Sequence, residues 1–217
     1  KNQKATEQKS EPLHNTETGY ELKLSPLAYH SSRLISFCDV NIKYGDRTVS
    51  SPPNFEVSNG DRIALEGKNG CGKSSILKLI IGAPIKYDGS VRIASGLKIS
   101  YVPQNTNDLC GNLTEFAKLS DIDESLFKTI LRKMDFKIDL FDCDISTYSE
   151  GQKKKVLLAK SLCERAHLYI WDEPLNYLDY YSRIQVENLI NEYKPTMLFV
   201  EHDKAFRHAV TNKIIKL

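Results

Sequence analysis

The sequence predicts an α/β chain with a mostly parallel sheet covered by helices on both faces. Three observations predict it. Short runs rich in branched and aromatic residues recur at 34–40, 62–66, 97–102, 168–172, 196–200 and 213–217. Segments with apolar residues at three- and four-residue steps lie between several of them, and strands alternating with helices imply parallel pairing. A glycine-rich loop, Gly67-Lys68-Asn69-Gly70-Cys71-Gly72-Lys73-Ser74, joins one such strand to one such helix.

Residues 1 to about 19 are polar and charged, contain Pro12 and Gly19, and have almost no large apolar side chains. Such a segment cannot offset its ordering entropy by burial. Tyr20, Leu22 and Leu24 alternate with Glu21, Lys23 and Ser25, the period of a half-buried strand, and Pro26 ends it. Residues 1–32 therefore read as an interdomain linker whose last part leans on a domain at 33–217. After the glycine loop, Ser74 to Ile81 has helical spacing until Gly82 and Pro84 stop it. A polar, mostly helical region spans about 105–150, where Leu126, Phe127, Ile130, Leu131 and Met134 form one apolar face. Ser149 is the expected cap of a helix running through Val156, Leu158 and Leu162. There is no internal repeat.

A chain of 217 residues suits one domain with a flanking arm, and such a domain buries roughly 70% of its unfolded surface. The net charge of +2 gives no argument for nucleic acid or an acidic membrane. Five cysteines with no Cys-x-x-Cys pair exclude a zinc ribbon and fit a reducing cytoplasm. No apolar run approaches the ~20 residues that cross a bilayer. The first residue is Lys1 rather than Met, so the chain reads as a piece of a longer protein.

The glycine loop matches G-x-x-x-x-G-K-S in its required strand–helix context. Glycines at 67, 70 and 72 let main-chain N–H groups converge on phosphate oxygens, aided by the positive end of the helix. The expected phosphate contacts are Gly67, Asn69, Gly70, Cys71, Gly72, Lys73, Ser74 and Ser75. Lys73 reaches the β- and γ-oxygens, and the Ser74 hydroxyl ligates Mg²⁺. Asp172 and Glu173 close the apolar strand from Leu168 to Trp171, which puts both carboxylates at the carboxyl edge of the sheet, beside the loop. Asp172 is the expected metal residue and Glu173 the base for an attacking water. Gln104 and His202 end two further strands and are expected to reach the metal or water and the γ-phosphate. Lys153, Lys154 and Lys155 read as a solvated helix face, with RNA contact as the alternative.

With Ser149-Glu150-Gly151-Gln152 between these motifs, the chain from about 34 to 217 resembles the nucleotide-binding domain of an ATP-binding cassette (ABC) protein. The resemblance implies a P-loop NTPase core with an antiparallel β subdomain and a small helical subdomain at about 105–150. It implies ATP and Mg²⁺, with Ser74, Gln104 and Asp172 at the metal, Tyr44 stacked on adenine, and His202 as the switch histidine. It also implies that Ser149, Gly151 and Gln152 act on a nucleotide held by a second cassette, in the same parent chain or in a homodimer. Glu150 stands where many members have glycine. It places a carboxylate near that phosphate or turns it aside, and the sequence leaves both open. Cys71 would make the loop sensitive to alkylation.

The run Asp172-Glu173-Pro174-Leu175-Asn176-Tyr177-Leu178-Asp179 resembles that of ABC-F proteins, twin-cassette ATPases without membrane domains that act on the ribosome. Tyr148 to Lys155 is similar to the second cassette of the antibiotic-resistance branch. On that resemblance the chain is a cytoplasmic, ribosome-directed ATPase with rRNA within reach. The alternatives are the motor subunit of a membrane transporter and a non-hydrolysing ATP-dependent scaffold.

Overall fold

The computed structural model describes residues 22–45 and 47–217. In chain order its elements are β1 (Arg33–Tyr44), β2 (Arg47–Ser50), β3 (Phe55–Ser58), β4 (Arg62–Glu66), α1 (Lys73–Ile80), β5 (Lys86–Ile93), β6 (Ile99–Val102), α2 (Leu113–Leu119), α3 (Glu124–Lys133), α4 (Glu150–Cys163), β7 (Leu168–Asp172), α5 (Tyr180–Tyr193), β8 (Met197–Val200), α6 (Lys204–Val210) and β9 (Lys213–Lys216). The expected α/β class holds, with a wholly parallel sheet and a second, antiparallel one.

The parallel sheet has the order β6-β7-β8-β4-β9. Every residue of β7 and β8 is buried, as parallel strands covered on both faces require. Alternate side chains go to opposite layers, because Cβ atoms alternate across a strand. Leu168, Ile170, Leu198 and Val200 pack with α1 and the antiparallel sheet. Tyr169, Trp171, Met197 and Phe199 pack with α2 to α6. Trp171 satisfies its indole by donating to Ser161 Oγ at 2.9 Å. Ser161 Oγ in turn lies 2.7 Å from Ser100 Oγ, so the polar atom buried with the ring is paired.

β1 is the spine of the antiparallel sheet and pairs with β2, β3 and β5. It bulges between Cys38 and Asn41, with Asp39 at φ 51° and its N–H donating to Asn54 Oδ1 at 2.7 Å. Gly89 on β5 faces that bulge, and a Cβ there would lie 2.3 Å from the Asp39 carbonyl oxygen. Only glycine fits.

Two sequence expectations are corrected. Tyr20 and Glu21 lie outside the described residues, and 22–24 form no strand. Leu24 instead buries its side chain in the core, and Leu27 N–H donates to the Ala166 carbonyl at 2.8 Å. The Tyr29 hydroxyl donates to the Ser95 carbonyl at 2.5 Å. The segment uses its apolar residues as anchors, because no strand pairs with it among the described residues. The three lysines at 153–155 are all buried rather than solvated. Their helix lies between the parallel sheet and α3, so it has no broad solvent face.

No helix among the described residues is long and apolar enough to cross a membrane.

Candidate functional site

Helix capping marks the site before any side chain does. Five of the six α-helices among the described residues open on a side-chain cap: Asn112, Asp123, Ser149, Asp179 and Asp203 each accept a main-chain N–H three residues on. α1 has none. Its N-cap is Gly72 at φ 93°, a left-handed conformation that disfavours any side chain. A Cβ there would also meet Ser50 Cβ at 2.5 Å. The first N–H groups of α1 are thus left for a ligand, and together with the helix dipole they make an anion site.

A cavity of about 560 Å³ opens there, lined by Val49, Asn69, Gly70, Gly72, Lys73, Ser74, Ser75, Gln104, Glu173 and His202. Nine of these ten are residues the motifs single out; Val49 is the addition, and nothing in its sequence context marks it. Lys73 bends over the loop, donating to the carbonyls of Gly67 at 2.9 Å and Lys68 at 3.0 Å.

Asp172 lies behind the wall and is 1% exposed. Neither of its carboxylate oxygens has a hydrogen-bond partner at ordinary geometry. Burial pushes its pKa above the usual carboxylate value, against the Ser74 hydroxyl and with Glu173 adding to the rise. A buried carboxylate with only a serine hydroxyl beside it is costly. It fits a hard divalent cation such as Mg²⁺, which takes oxygen ligands.

Glu173 adopts φ 49°, a strained conformation for a side-chain-bearing residue, held by its N–H donating to the Val200 carbonyl at 2.9 Å. The turn aims its carboxylate into the cavity. There it accepts from Asn176 Nδ2 at 2.5 Å and lies 3.2 Å from His202 Nε2. Buried Glu201 anchors both loops at once. It accepts from the N–H groups of His202 at 2.7 Å and Leu175 at 3.1 Å. The motifs did not single out Asn176 or Glu201 as site residues. A carboxylate closing an apolar strand, as at Asp172, was the available signal for Glu201.

Six predicted contacts stand apart from this cavity lining. Tyr44 is 51% exposed at the rim, its hydroxyl 3.3 Å from Ser75 Oγ. Gly67 and Cys71 pack on each other, since a Cβ at 67 would meet Cys71 Sγ at 2.5 Å. Ser149, Gly151 and Gln152 sit at the amino end of α4 and do not line the cavity either. Ser149 and Gln152 form a capping box: Ser149 N–H donates to Gln152 Oε1 at 2.8 Å, and Gln152 N–H to Ser149 Oγ at 3.3 Å. The Gln152 side chain is thereby committed within its own helix. Gly151 lies against the loop after β7, where a Cβ would fall 2.6 Å from the Tyr177 carbonyl oxygen. Glu150 turns aside, accepting from Thr106 Oγ1 at 2.5 Å.

The arrangement can hold a polyphosphate on main-chain N–H groups and Lys73, place a cation at Ser74 and Asp172, and present a carboxylate to water.

A model of the family described as "ABC transporter" matches residues 51–176. ABC transporter F family member 2 of Arabidopsis thaliana is 32% identical over 82% of this chain and 27% of its own. Ribosome protection protein VmlR of Bacillus subtilis is 30% identical over 83% of this chain and 33% of its own. The chain thus spans about a quarter to a third of the length of these relatives. Among solved structures, an ATP-binding subunit of an ABC transporter superposes with a TM-score of 0.68 at 26% identity, covering 85% of each chain. The archaeal ribosome recycling factor aABCE1, solved in complex with the ribosomal stalk protein aP1, superposes at 0.69 with 28% identity. That match covers 93% of this chain and 39% of that one.

Proposed function

The chain belongs to the ABC transporter family, whose ATP-binding domains hydrolyse ATP, and from that premise we propose that it is one cassette of a twin-cassette ABC-F ATPase acting on the ribosome. The observation that carries the chemistry is the single cavity in which the uncapped end of α1, Lys73, Gln104, Glu173 and His202 meet.

The triphosphate rests on the loop from Gly67 to Ser75, with Asn69, Gly70 and Gly72 letting the backbone approach and Cys71 filling the loop from behind. Tyr44 closes the adenine side. Lys73 exchanges its carbonyl partners for phosphate oxygens. Ser74, Gln104 and Asp172 would hold Mg²⁺, which would neutralise charge on the terminal phosphates. Glu173 takes a proton from the attacking water at a carboxylate oxygen. His202, 3.2 Å away, orients that carboxylate and hydrogen-bonds the γ-phosphate. The site is completed by Ser149 and Gly151 of a second cassette, because in this chain those residues lie outside the cavity. Gln152 supports that surface through its capping box rather than by direct contact.

Residues 33–217 are the cassette, 105–150 its helical subdomain, and 1–32 the arm to the neighbouring cassette. The docking of Leu24, Leu27 and Tyr29 supports that the arm's end is part of the folded unit. The proposed parent is a cytoplasmic protein that shields ribosomes from an antibiotic; similarity to ribosome protection protein VmlR supports the ribosome as its partner, and similarity to ABC transporter F family member 2 supports the ABC-F class. One observation favours a second reading. The ATP-binding subunit of an ABC transporter matches over 85% of both chains, which suits a transporter motor.

Glu173→Gln tests both readings. It is expected to lower turnover by about 10²–10⁴-fold while ATP binding is retained. In the full-length protein with ATP, the variant should co-sediment with ribosomes. Recovery with membrane vesicles would select the transporter reading, and unchanged turnover would remove Glu173 from the chemistry.

A further inference from the structure

Lys154 is buried to 1% exposure, yet its ammonium has no carboxylate within ion-pair distance among the described residues. Its partners are main-chain carbonyls: Pro103 at 2.9 Å, Gln104 at 3.4 Å and Asp172 at 3.5 Å. A buried cation is costly, and an apolar side chain of similar length would fill the same space without that cost. Packing therefore does not explain the charge. The three carbonyls belong to the ends of β6 and β7, the two strands whose following residues carry Gln104 and Glu173 into the cavity. Lys154 gathers both strand ends onto the second turn of α4.

A second tie lies one turn nearer the helix start. Glu150 Oε2 accepts from Thr106 Oγ1 at 2.5 Å, and Glu150 Oε1 lies 3.7 Å from Lys153 Nζ. The segment 103–106 is thus held at both ends by α4. The same helix is joined to the loop after β7 by Lys155, which contacts Asp179 Oδ2 at 2.6 Å and the Met134 carbonyl at 2.5 Å. The carboxylate at 150, where the resemblance led one to expect a glycine, is spent on this bond rather than on a phosphate.

We propose that Lys154 is a positioning residue which, with the Glu150–Thr106 bond, makes Gln104, the end of β7 and the amino end of α4 move as one body. Filling of this chain's nucleotide site then sets the aim of Ser149 and Gly151 toward the nucleotide of the partner cassette. The inference rests on the proposed composite site and adds to it the residues that link its two halves. Such a link acts through a packed and hydrogen-bonded unit and is reciprocal between the two sites.

The test uses the full-length protein, with affinity for a fluorescent ATP analogue and the ATP dependence of hydrolysis measured side by side. Lys154→Met is expected to keep analogue affinity within about twofold, to lower kcat at least tenfold, and to flatten the ATP dependence toward a Hill coefficient of one. A misplacement of about 1 Å at a reacting group suffices for losses of that order. Thr106→Val, nearly isosteric, should give the same split in weaker form, and Thr106→Ser should restore the wild-type curve. If Lys154→Met does not fold, Thr106→Val against Thr106→Ser decides. Wild-type kcat and steepness in the variants, or a fall in affinity as large as the fall in kcat, would overturn the inference. An unmodified protein that hydrolyses no ATP would overturn the proposed function, and this inference with it.

Discussion

Residue by residue, this chain places charges where the fold must hold them. Glu173 occupies a left-handed backbone conformation and Asp172 a buried place beside the Ser74 hydroxyl, so both are held by surrounding structure rather than by their own preferences. Asp179 is the opposite case. Burial pushes its pKa up, but hydrogen bonds from Lys155 and from the backbone and hydroxyl of Ser182 outweigh that and bring it down to about 2. A carboxylate with a depressed pKa stabilises the fold fully above its unfolded value near 3.9, and that contribution is lost as the pH falls through about 2. Asp179→Asn keeps a side-chain cap for α5 but removes the charge. Its melting temperature should fall below the wild type at pH 5, and the gap should close progressively between pH 4 and pH 2. A gap independent of pH would show that the ion pair contributes nothing. The motif residues were legible singly because the glycine, lysine and carboxylate spacings are local. Asn176 and Glu201 were not, because what matters is which carboxylate or N–H each meets across the sheet edge.

Among the elements, α1 and α4 make the sharpest pair. One helix begins bare and offers its N–H groups outward; the other closes its own with a capping box. Ser149→Ala should destabilise the chain by about 1 kcal/mol in chemical denaturation, with Ser149→Thr recovering most of it. An unchanged midpoint would mean that the cap is redundant. α4 was visible in the sequence through its cap and its apolar spacing. Its lysines misled, because charge on a helix is ordinarily solvated, whereas here Lys154 and Lys155 turn to main-chain oxygens after β6 and at the end of α3, and Lys153 to Glu150 of its own helix. β5 went unseen for another reason. Its side chains are mostly exposed, and its place is decided by main-chain pairing to β1 around the Asp39 bulge, which needs Gly89.

At the scale of the molecule, the parallel sheet divides the core in two. One layer, with α1 and the antiparallel sheet, carries the phosphate loop; the other carries α4 and the helical region. The cavity belongs to the first and the amino end of α4 to the second, so on the proposed two-cassette site one copy does not close its own. The specific ATPase activity of the isolated chain should therefore rise with its concentration. A rate per molecule that stays flat on dilution would show that a single cassette suffices.

The sequence by itself determined the class of fold, the phosphate loop, the two carboxylates and the order of the motifs, because each rests on spacing within a few residues. Only the tertiary structure decided that the lysines turn inward, that Glu150 binds Thr106 and that the amino end of α4 lies outside the cavity. Those outcomes depend on contacts between residues distant in sequence, where no local period records which oxygen a buried charge will find.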